Sequence, residues 1–227
     1  MMESTIVAQG IQSRVQSLRT LNWDDAALAH RATNRLLAGI ASDKAFFGAL
    51  VRRLPHDDEN LPKCEKDYNI EKYVLFSDHE SGARLRLHVM RPHDEGIPHS
   101  HRMDFASYIL RGSYEHTVYG PLDDGTRLLE AKEIFPLKFG IETAGAGYFI
   151  SHQLIHDVRV RGDECISLML RSPYRKKRAI QYDIAKGRTY WRYGSDSRTE
   201  DSLLNCEPIG RSGVEQLIGK LENRDLI

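Results

Sequence analysis

Gly96-Ile97-Pro98-His99-Ser100-His101 places two histidines one residue apart. Side chains two positions apart on a β-strand point to the same face, so both imidazoles can contact one metal ion. Neutral imidazole suits iron, zinc, copper or nickel. Pairs with this spacing also arise by chance on protein surfaces. The triplet alone therefore leaves a metal site and an ordinary surface pair both open.

Strand-like patterns surround this run, from about Tyr68 to Pro173. Residues 83–91 alternate clearly, with Leu85, Leu87 and Val89 on one face. The other strands are predicted at 107–110 and 113–119, joined by a tight turn at Gly112, and at 148–150, 157–160 and 165–171. Short strands separated by Gly, Pro and Asp favour an antiparallel sandwich or barrel.

Helices are predicted on both sides of this region. Residues 22–54 contain two helical segments, the first capped by Asn22 or Asp24 and ending near Gly39, the second capped by Ser42. After Pro173 the chain is expected to be irregular, except for one helix with a capping box over 212–215 and an apolar stripe. That stripe is expected to pack on the barrel or on the N-terminal helices. The domain limits follow: a helical region at 1–66, a β domain at 67–175 and a C-terminal extension at 176–227.

The composition excludes several classes of protein. Of the 227 residues 41% are apolar, which suits a globular core, and 32 basic residues balance 32 acidic ones. Nucleic-acid binding is not expected without a basic excess. Three scattered cysteines form no disulfide framework or zinc knuckle. With no leader and no apolar run of membrane length, we expect a cytoplasmic protein without a membrane partner, either a monomer or a small homo-oligomer.

A second histidine motif follows in Gly145-Ala-Gly-Tyr-Phe-Ile-Ser-His152-Gln-Leu-Ile-His156. The first segment, Gly96 to Gly112, resembles the first motif of the cupin superfamily, and this later segment resembles the second. The resemblance covers roughly residues 70–173. It implies a single cupin (jelly-roll) β-barrel, mainly β, with N-terminal helices and a C-terminal helical extension.

The resemblance implies the metal ligands His99, His101 and His156. Phe105 stands where cupins usually carry a Glu ligand, so the site is expected to have three histidines and no carboxylate. Asp104 is a weaker candidate for a fourth ligand because it should point to the other face of its strand. His152 is the alternative third ligand, since it lies in the same turn as His156.

A three-histidine cupin with N-terminal helices resembles the cysteine dioxygenase (thiol dioxygenase) group. Tyr148 stands eight residues before His156, as in that group, and Ser167-Leu-Met-Leu-Arg-Ser-Pro173 is similar to its pocket strand Ser-Leu-His-Leu-Tyr-Ser-Pro. Here Met169 and Arg171 replace the pocket His and Tyr. The group's cross-linking Cys and its carboxylate-binding Arg have no counterpart.

The resemblance therefore implies an Fe(II) dioxygenase that uses O₂ on a small, metal-chelating and anionic molecule other than cysteine, although Zn, Mn or Ni suit the same ligands. The candidate catalytic residues are Arg171, Ser167 and Tyr108, and the candidate substrate-binding residues are Arg171, Met169, Phe105 and Tyr148. Arg171 can hold a carboxylate or phosphate by two parallel hydrogen bonds, or reach solvent where its strand ends.

Two other functions remain open at the level of sequence. One is a cupin isomerase, lyase or hydrolase that uses Zn, Mn or Ni without O₂, and the other is a non-catalytic cupin that binds a small ligand. His88, on a strand face with Arg84, Arg86 and Met90, is predicted to lie at a pocket or in solvent. His93 and His116 are predicted to lie at the surface.

Overall fold

The fold is mainly β, with helices before and after the strands. The computed structural model describes residues 10–14, 16, 19–93, 96–193 and 206–227. The helices are α1 (Ala26–Ser42), α2 (Lys44–Arg53) and α3 (Arg211–Glu222). The strands are β1 (Glu65–Lys66), β2 (Ile70–Ser77), β3 (Arg84–Met90), β4 (Met103–Gly120), β5 (Phe135–Thr143), β6 (Gly147–Ile150), β7 (Ile155–Tyr174), β8 (Arg178–Asp183), β9 (Arg188–Tyr193) and β10 (Glu207–Pro208).

The main sheet is antiparallel and has the strand order β10-β1-β2-β3-β7-β4-β5, with β6 paired to β4. Strands β8 and β9 form a separate hairpin. This mainly β, jelly-roll-like arrangement confirms the predicted fold class. Within the described residues, the hydrogen bonds do not close the sheet into a barrel, because β5 and β10 each pair on one side only.

Two long strands replace several of the short ones predicted from sequence. The predicted tight turn at Gly112 is wrong, because residues 103–120 form the single strand β4, which pairs with β7 on both sides of that glycine. Gly112 has a φ of 81° and Gly162 in β7 a φ of 78°. The register of β4 against β7 shifts on both sides of Arg111. Glycine thus bends each strand without ending it.

The central strands present two different faces. One face, here called the helix face, carries Ile166, Leu168 and Leu170 of β7, which belong to a core shared with α1, α2 and α3. The opposite face, here called the site face, carries the alternate residues of β7: Cys165, Ser167, Met169 and Arg171. On β3, Leu85, Leu87 and Val89 lie on the helix face, while Met90 packs with Cys165 on the site face. The alternation predicted for residues 83–91 is therefore confirmed.

The helices form near their predicted positions but with different caps. α1 is capped by Asp25, whose side chain accepts from Leu28 N at 2.9 Å, and α2 by Asp43. Asn22, Asp24 and Ser42 are therefore not the caps. α1 also runs past Gly39, since a single glycine does not stop a helix that continues to bury apolar residues.

The C-terminal part of the chain is more ordered than predicted. Residues expected to be irregular form the β8–β9 hairpin. The predicted capping box is wrong because α3 begins after Gly210, which places Ser212 inside the helix. The predicted stripe is confirmed: Val214, Leu217 and Leu221 are buried in the same core as the N-terminal helices. No helix in the described ranges has both the length and the apolar character needed to cross a bilayer.

Candidate metal centre

Backbone pairing brings the two histidine motifs together. His99 and His156 form an isolated antiparallel bridge, each donating its N–H to the other's carbonyl at 2.9 Å. On the other side of the first motif, Ser100 N donates to Ile180 O at 2.9 Å and Tyr182 N to Pro98 O at 2.8 Å. The segment before β4 is thus held between the start of β7 and strand β8.

Three imidazoles converge at this junction. One nitrogen from each of His99, His101 and His156 lies within 4.8 Å of the other two. Nε2 of His101 and Nε2 of His156 are 2.8 Å apart, and the ring centroids are separated by 4.7 to 5.0 Å. Donor atoms that face a common point at such spacings are arranged to share one ion.

Hydrogen bonds orient two of the three rings. Nδ1 of His99 lies 2.8 Å from Ile97 O, and Nδ1 of His156 lies 3.0 Å from Nε2 of His116. Nδ1 of His116 in turn lies 3.4 Å from Oε1 of Glu142. If each Nδ1–H donates, all three of these contacts are hydrogen bonds. The Nε2 lone pairs of His99 and His156 are then left for a metal. Such carboxylate–histidine chains fix the tautomer and ring orientation of metal ligands.

The environment keeps these imidazoles neutral. Burial, and next to it the charge of Arg192, lower the pKa of His99 to about 4. Burial lowers the pKa of His101 and of His156 well below the usual value, and the neighbouring histidines add to this effect. Neutral imidazole is the form that binds metal, so the trio is ready to bind at neutral pH without losing protons first. The donor set therefore fits a single divalent transition metal.

No carboxylate joins the trio among the described residues. The ring of Phe105, the position at which the sequence resemblance expects a Glu ligand, lies 4.7 Å from that of His101 and 5.7 Å from that of His156. Asp104 is buried and accepts from His152 N and contacts His152 Nδ1, both at 2.7 Å. His152 and Asp104 thus pair with each other, and neither belongs to the converging group.

Apolar and phenolic side chains surround the centre. Phe105 packs with Ile150 and Met169, and its ring contacts those of His101 and His156. Tyr148 contacts Phe105 at 6.3 Å between ring centroids and pairs its hydroxyl with that of Tyr114. Burial raises the pKa of Tyr148 to about 12, which keeps its hydroxyl protonated.

The predicted catalytic residues separate into two groups. Ser167 and Arg171 lie on the site face and are 1% and 2% exposed. Arg171 donates to Ser172 O at 2.9 Å and lies over the ring of Tyr174, so the alternative that it reaches solvent is wrong. Tyr108 lies on the helix face, where it packs against the main core. It does not face the histidines, because it is one residue out of phase with Phe105 and Ser107.

Sequence reasoning missed the role of His116. It is 6% exposed, and the expectation that it lies at the surface is wrong. His116 shares a face of β4 with Tyr114 and Val118, which lie two residues before and after it. This spacing is the one signal in the sequence that His116 points inward. His88 is also buried, on the site face opposite Ser167.

Comparisons with known proteins add little beyond the fold. Neither a protein-family model nor a curated protein matches the sequence. Among similar solved structures, KdgF from a Halomonas species has 16% identity and a TM-score of 0.36, over 49% of this chain and 88% of that one. An RmlC-like cupin from Shewanella frigidimarina has 17% identity and a TM-score of 0.34, over 49% and 86%.

A third similar structure is hydroxypropylphosphonic acid epoxidase from S. wedmorenis, with 11% identity and a TM-score of 0.37. The match covers 48% of this chain and 56% of the epoxidase. At such scores a likeness says nothing about activity. The chemistry of the centre has to be inferred from its own side chains.

Proposed function

We propose that the protein is a mononuclear Fe(II)-dependent oxygenase that uses O₂ on a small anionic molecule. The observation that carries this proposal is the convergence of three neutral imidazoles with an aromatic ring, rather than a carboxylate, beside them. Fe(II) held by these three histidines would keep open positions for a chelating substrate and O₂.

The residues of the chain supply orientation and exclusion of water. Ile97 O and the Glu142–His116 pair hold the rings of His99 and His156 at their Nδ1 atoms. Phe105, Met169 and Ile150 form an apolar wall that keeps bulk water from one side of the centre. The buried guanidinium of Arg171 supplies positive charge on the same face of the sheet.

The same surroundings favour a substrate other than cysteine. By the sequence resemblance, Met169 and Arg171 stand where the thiol dioxygenases carry His and Tyr, and Met169 packs directly against Phe105. A thioether offers no proton to a substrate, whereas a guanidinium offers a fixed positive charge. An acidic substrate therefore suits the site face better than a zwitterionic amino acid does.

Oxygen consumption tests this function directly. Metal-free protein is loaded anaerobically with Fe(II) and mixed with air-saturated buffer and a panel of small hydroxy acids, keto acids, phosphonates and cysteine. We expect O₂ uptake with at least one acid of the panel, little with cysteine, and none in His101→Ala. Turnover of a panel member by the Zn- or Mn-loaded protein without O₂ uptake would instead assign a non-oxidative metalloenzyme.

A further inference from the structure

Four buried polar atoms on the site face have no hydrogen-bond partner among the described residues. They are Nε of Arg86, Nε2 of His88, Oγ of Ser167 and Nε of Arg171. His88, Ser167 and Arg171 are each more than nine-tenths buried. Buried polar groups in folded proteins are nearly always paired, so four unpaired ones on one face indicate that something else satisfies them.

Strand register places these four side chains together. Across β3 and β7, His88 stands opposite Ser167, and Arg86 stands opposite Met169. Met169 is the neighbour of Arg171 on the same face of β7, so Arg86 and Arg171 are diagonal neighbours. Directly opposed side chains on antiparallel strands have Cβ atoms about 5 Å apart, and diagonal neighbours remain within reach of long side chains. We call Arg86, His88, Ser167 and Arg171 the arginine layer.

The arginine layer carries positive charge without a matching acid. Nε of Arg86 and Nε of Arg171 have no partner among the described residues. The charged groups that act on Arg171 are cations, Arg86, Arg84 and Arg102, apart from the phenol of Tyr174. Burial is the main cause that lowers the pKa of Arg171 to about 9, so it remains a cation at neutral pH.

Unpaired buried cations are costly for a folded protein. Removing a guanidinium from water without a counter-charge opposes folding, and proteins normally pair such groups. Glu65 is the acid that acts on Arg86, and its carboxylate already lies 3.2 Å from Nζ of Lys72. The missing counter-charge is therefore best supplied by a ligand.

The arginine layer adjoins the metal centre. Arg171 stands opposite Phe105 across β4 and β7, and Phe105 in turn contacts His101. On the other side of the layer, Met90, Cys165 and Ile109 form an apolar cluster. On the site face, Phe105 is thus the one side chain that separates Arg171 from His101 along this line of contacts.

We propose that the arginine layer is an oxyanion subsite, which holds a carboxylate or phosphoryl group through the guanidiniums of Arg86 and Arg171 and the hydroxyl of Ser167. The role of the arginine layer as the anchor for the head group of the substrate rests on the proposed oxygenase function. Anion binding by the layer is independent of that function, because no residue of the layer is a proposed metal ligand. His88 completes the layer as a neutral donor or acceptor.

Anion binding to the metal-free protein tests the subsite. Inorganic phosphate and acetate are titrated into the protein and followed by calorimetry and by the shift in melting temperature. We expect one or both anions to bind, with affinity reduced about tenfold or more in Arg171→Met and in Arg86→Met, as for loss of a charge-assisted hydrogen bond. Arg188→Met, which removes an exposed arginine from β9, is the matched control and should bind like the wild type.

A second readout separates ligand binding from a purely structural role. Without anions, Arg171→Met should melt at the same temperature as the wild type or higher, because it removes an unpaired buried charge at similar volume. Added phosphate or acetate should then stabilise the wild type more than the variant. If Arg171→Met fails to fold, the arginine has a structural role and the proposal is overturned.

Two further outcomes distinguish this subsite from the metal centre. His101→Ala should lose metal and keep the anion affinity of the wild type. Preference for phosphate over acetate would assign a phosphoryl group, and the reverse a carboxylate. The subsite is overturned if neither anion binds, or if both arginine variants bind as tightly as the wild type, whatever the metal content.

Discussion

The imidazole of His156 is held from behind by a second imidazole. Nε2 of His116 lies 3.0 Å from Nδ1 of His156, and Glu142 lies on the far side of His116. A ring fixed in this way keeps its Nε2 lone pair pointed at the centre, so less entropy is lost when a metal binds. His116 would therefore act on a metal held by His156 only through that ring, as a positioning residue.

Replacing His116 should weaken metal binding without abolishing it. We expect His116→Ala to lower metal affinity 10- to 100-fold, the range found for hydrogen-bonding partners of metal ligands. Competition with a chromophoric chelator measures this affinity. His79→Ala, at an exposed position, is the control and should bind like the wild type. Equal metal affinities of His116→Ala and His79→Ala would show that His116 does not support metal binding.

His88 should make the metal-free protein less stable in acid. Its pKa is held well below 6.5 by burial, and by the cations Arg86 on its own strand and Lys72 on β2; Ser167 faces it from β7 and carries no charge. Below pH 6.5 the unfolded chain binds a proton at this residue that the folded chain does not, so stability falls as the pH falls.

Urea denaturation of the metal-free protein at several pH values measures this effect. We expect His88→Leu to flatten the decline below pH 6.5 by up to about 1.4 kcal/mol per pH unit, the value for one proton. The three converging histidines also lower stability as the pH falls, and that part of the decline remains in His88→Leu. A pH profile unchanged by His88→Leu would show that this side chain is protonated as easily in the folded protein as in the unfolded one.

At the scale of elements, the bends in β4 and β7 determine which residues reach the centre. β4 changes register against β7 around Arg111, which lets Phe105 and His116 lie on the same face of one strand. Local sequence cannot distinguish this bend from a hairpin turn, since both require a glycine with positive φ. The backbone pairing across the two strands decides between them.

Gly112 and Gly162 offer a matched test of these bends. Both have positive φ, but a Cβ at Gly112 would lie 2.3 Å from the carbonyl oxygen of Glu164, whereas nothing lies within 4 Å of a Cβ at Gly162. We expect Gly162→Ala to cost about 1–2 kcal/mol through backbone strain alone, and Gly112→Ala clearly more. Denaturant unfolding measures both, and equal losses would contradict the close backbone contact at Gly112.

The parts of the site that sequence predicted are those carried by local patterns. His99, His101 and His156 stand in two spaced motifs, and their convergence follows from pairing those motifs. The position of His116 depends on how β4 lies against β7, which no short window of sequence contains. The prediction that Tyr108 is catalytic is wrong, because strand alternation turns it away from the face that carries Phe105 and Ser107.

At the scale of the molecule, segments from both ends of the chain complete one core. Leu37 and Leu50 of the N-terminal helices pack with Leu217 and Leu221 of α3 against the helix face of the sheet. This layer supports the back of the strands whose other face carries the centre. The regular spacing of apolar residues along these helices made them predictable from sequence. The β8–β9 hairpin lies in a stretch that the sequence predicts to be irregular, although its two strands are neighbours in the chain and pair with each other.

Loss of this packing should destabilise the protein as a whole. We expect Leu221→Ala, at a fully buried position, to lower the free energy of unfolding by about 2–5 kcal/mol. Leu28→Ala in α1, where the side chain is 40% exposed, is the control and should cost much less. Urea denaturation followed by circular dichroism gives both values. A small loss at Leu221 would mean that α3 is not part of the cooperative core.

Metal content per chain tests the central claim most directly. Metal-free protein is equilibrated with Fe(II) or Zn(II), freed of excess ion and analysed, alongside His101→Ala, His156→Ala and His152→Asn, which keeps a donor for Asp104. The three-histidine centre predicts about one ion per chain in the wild type and in His152→Asn, and loss of most of that metal in the other two variants. Undiminished metal in His101→Ala and His156→Ala would contradict it.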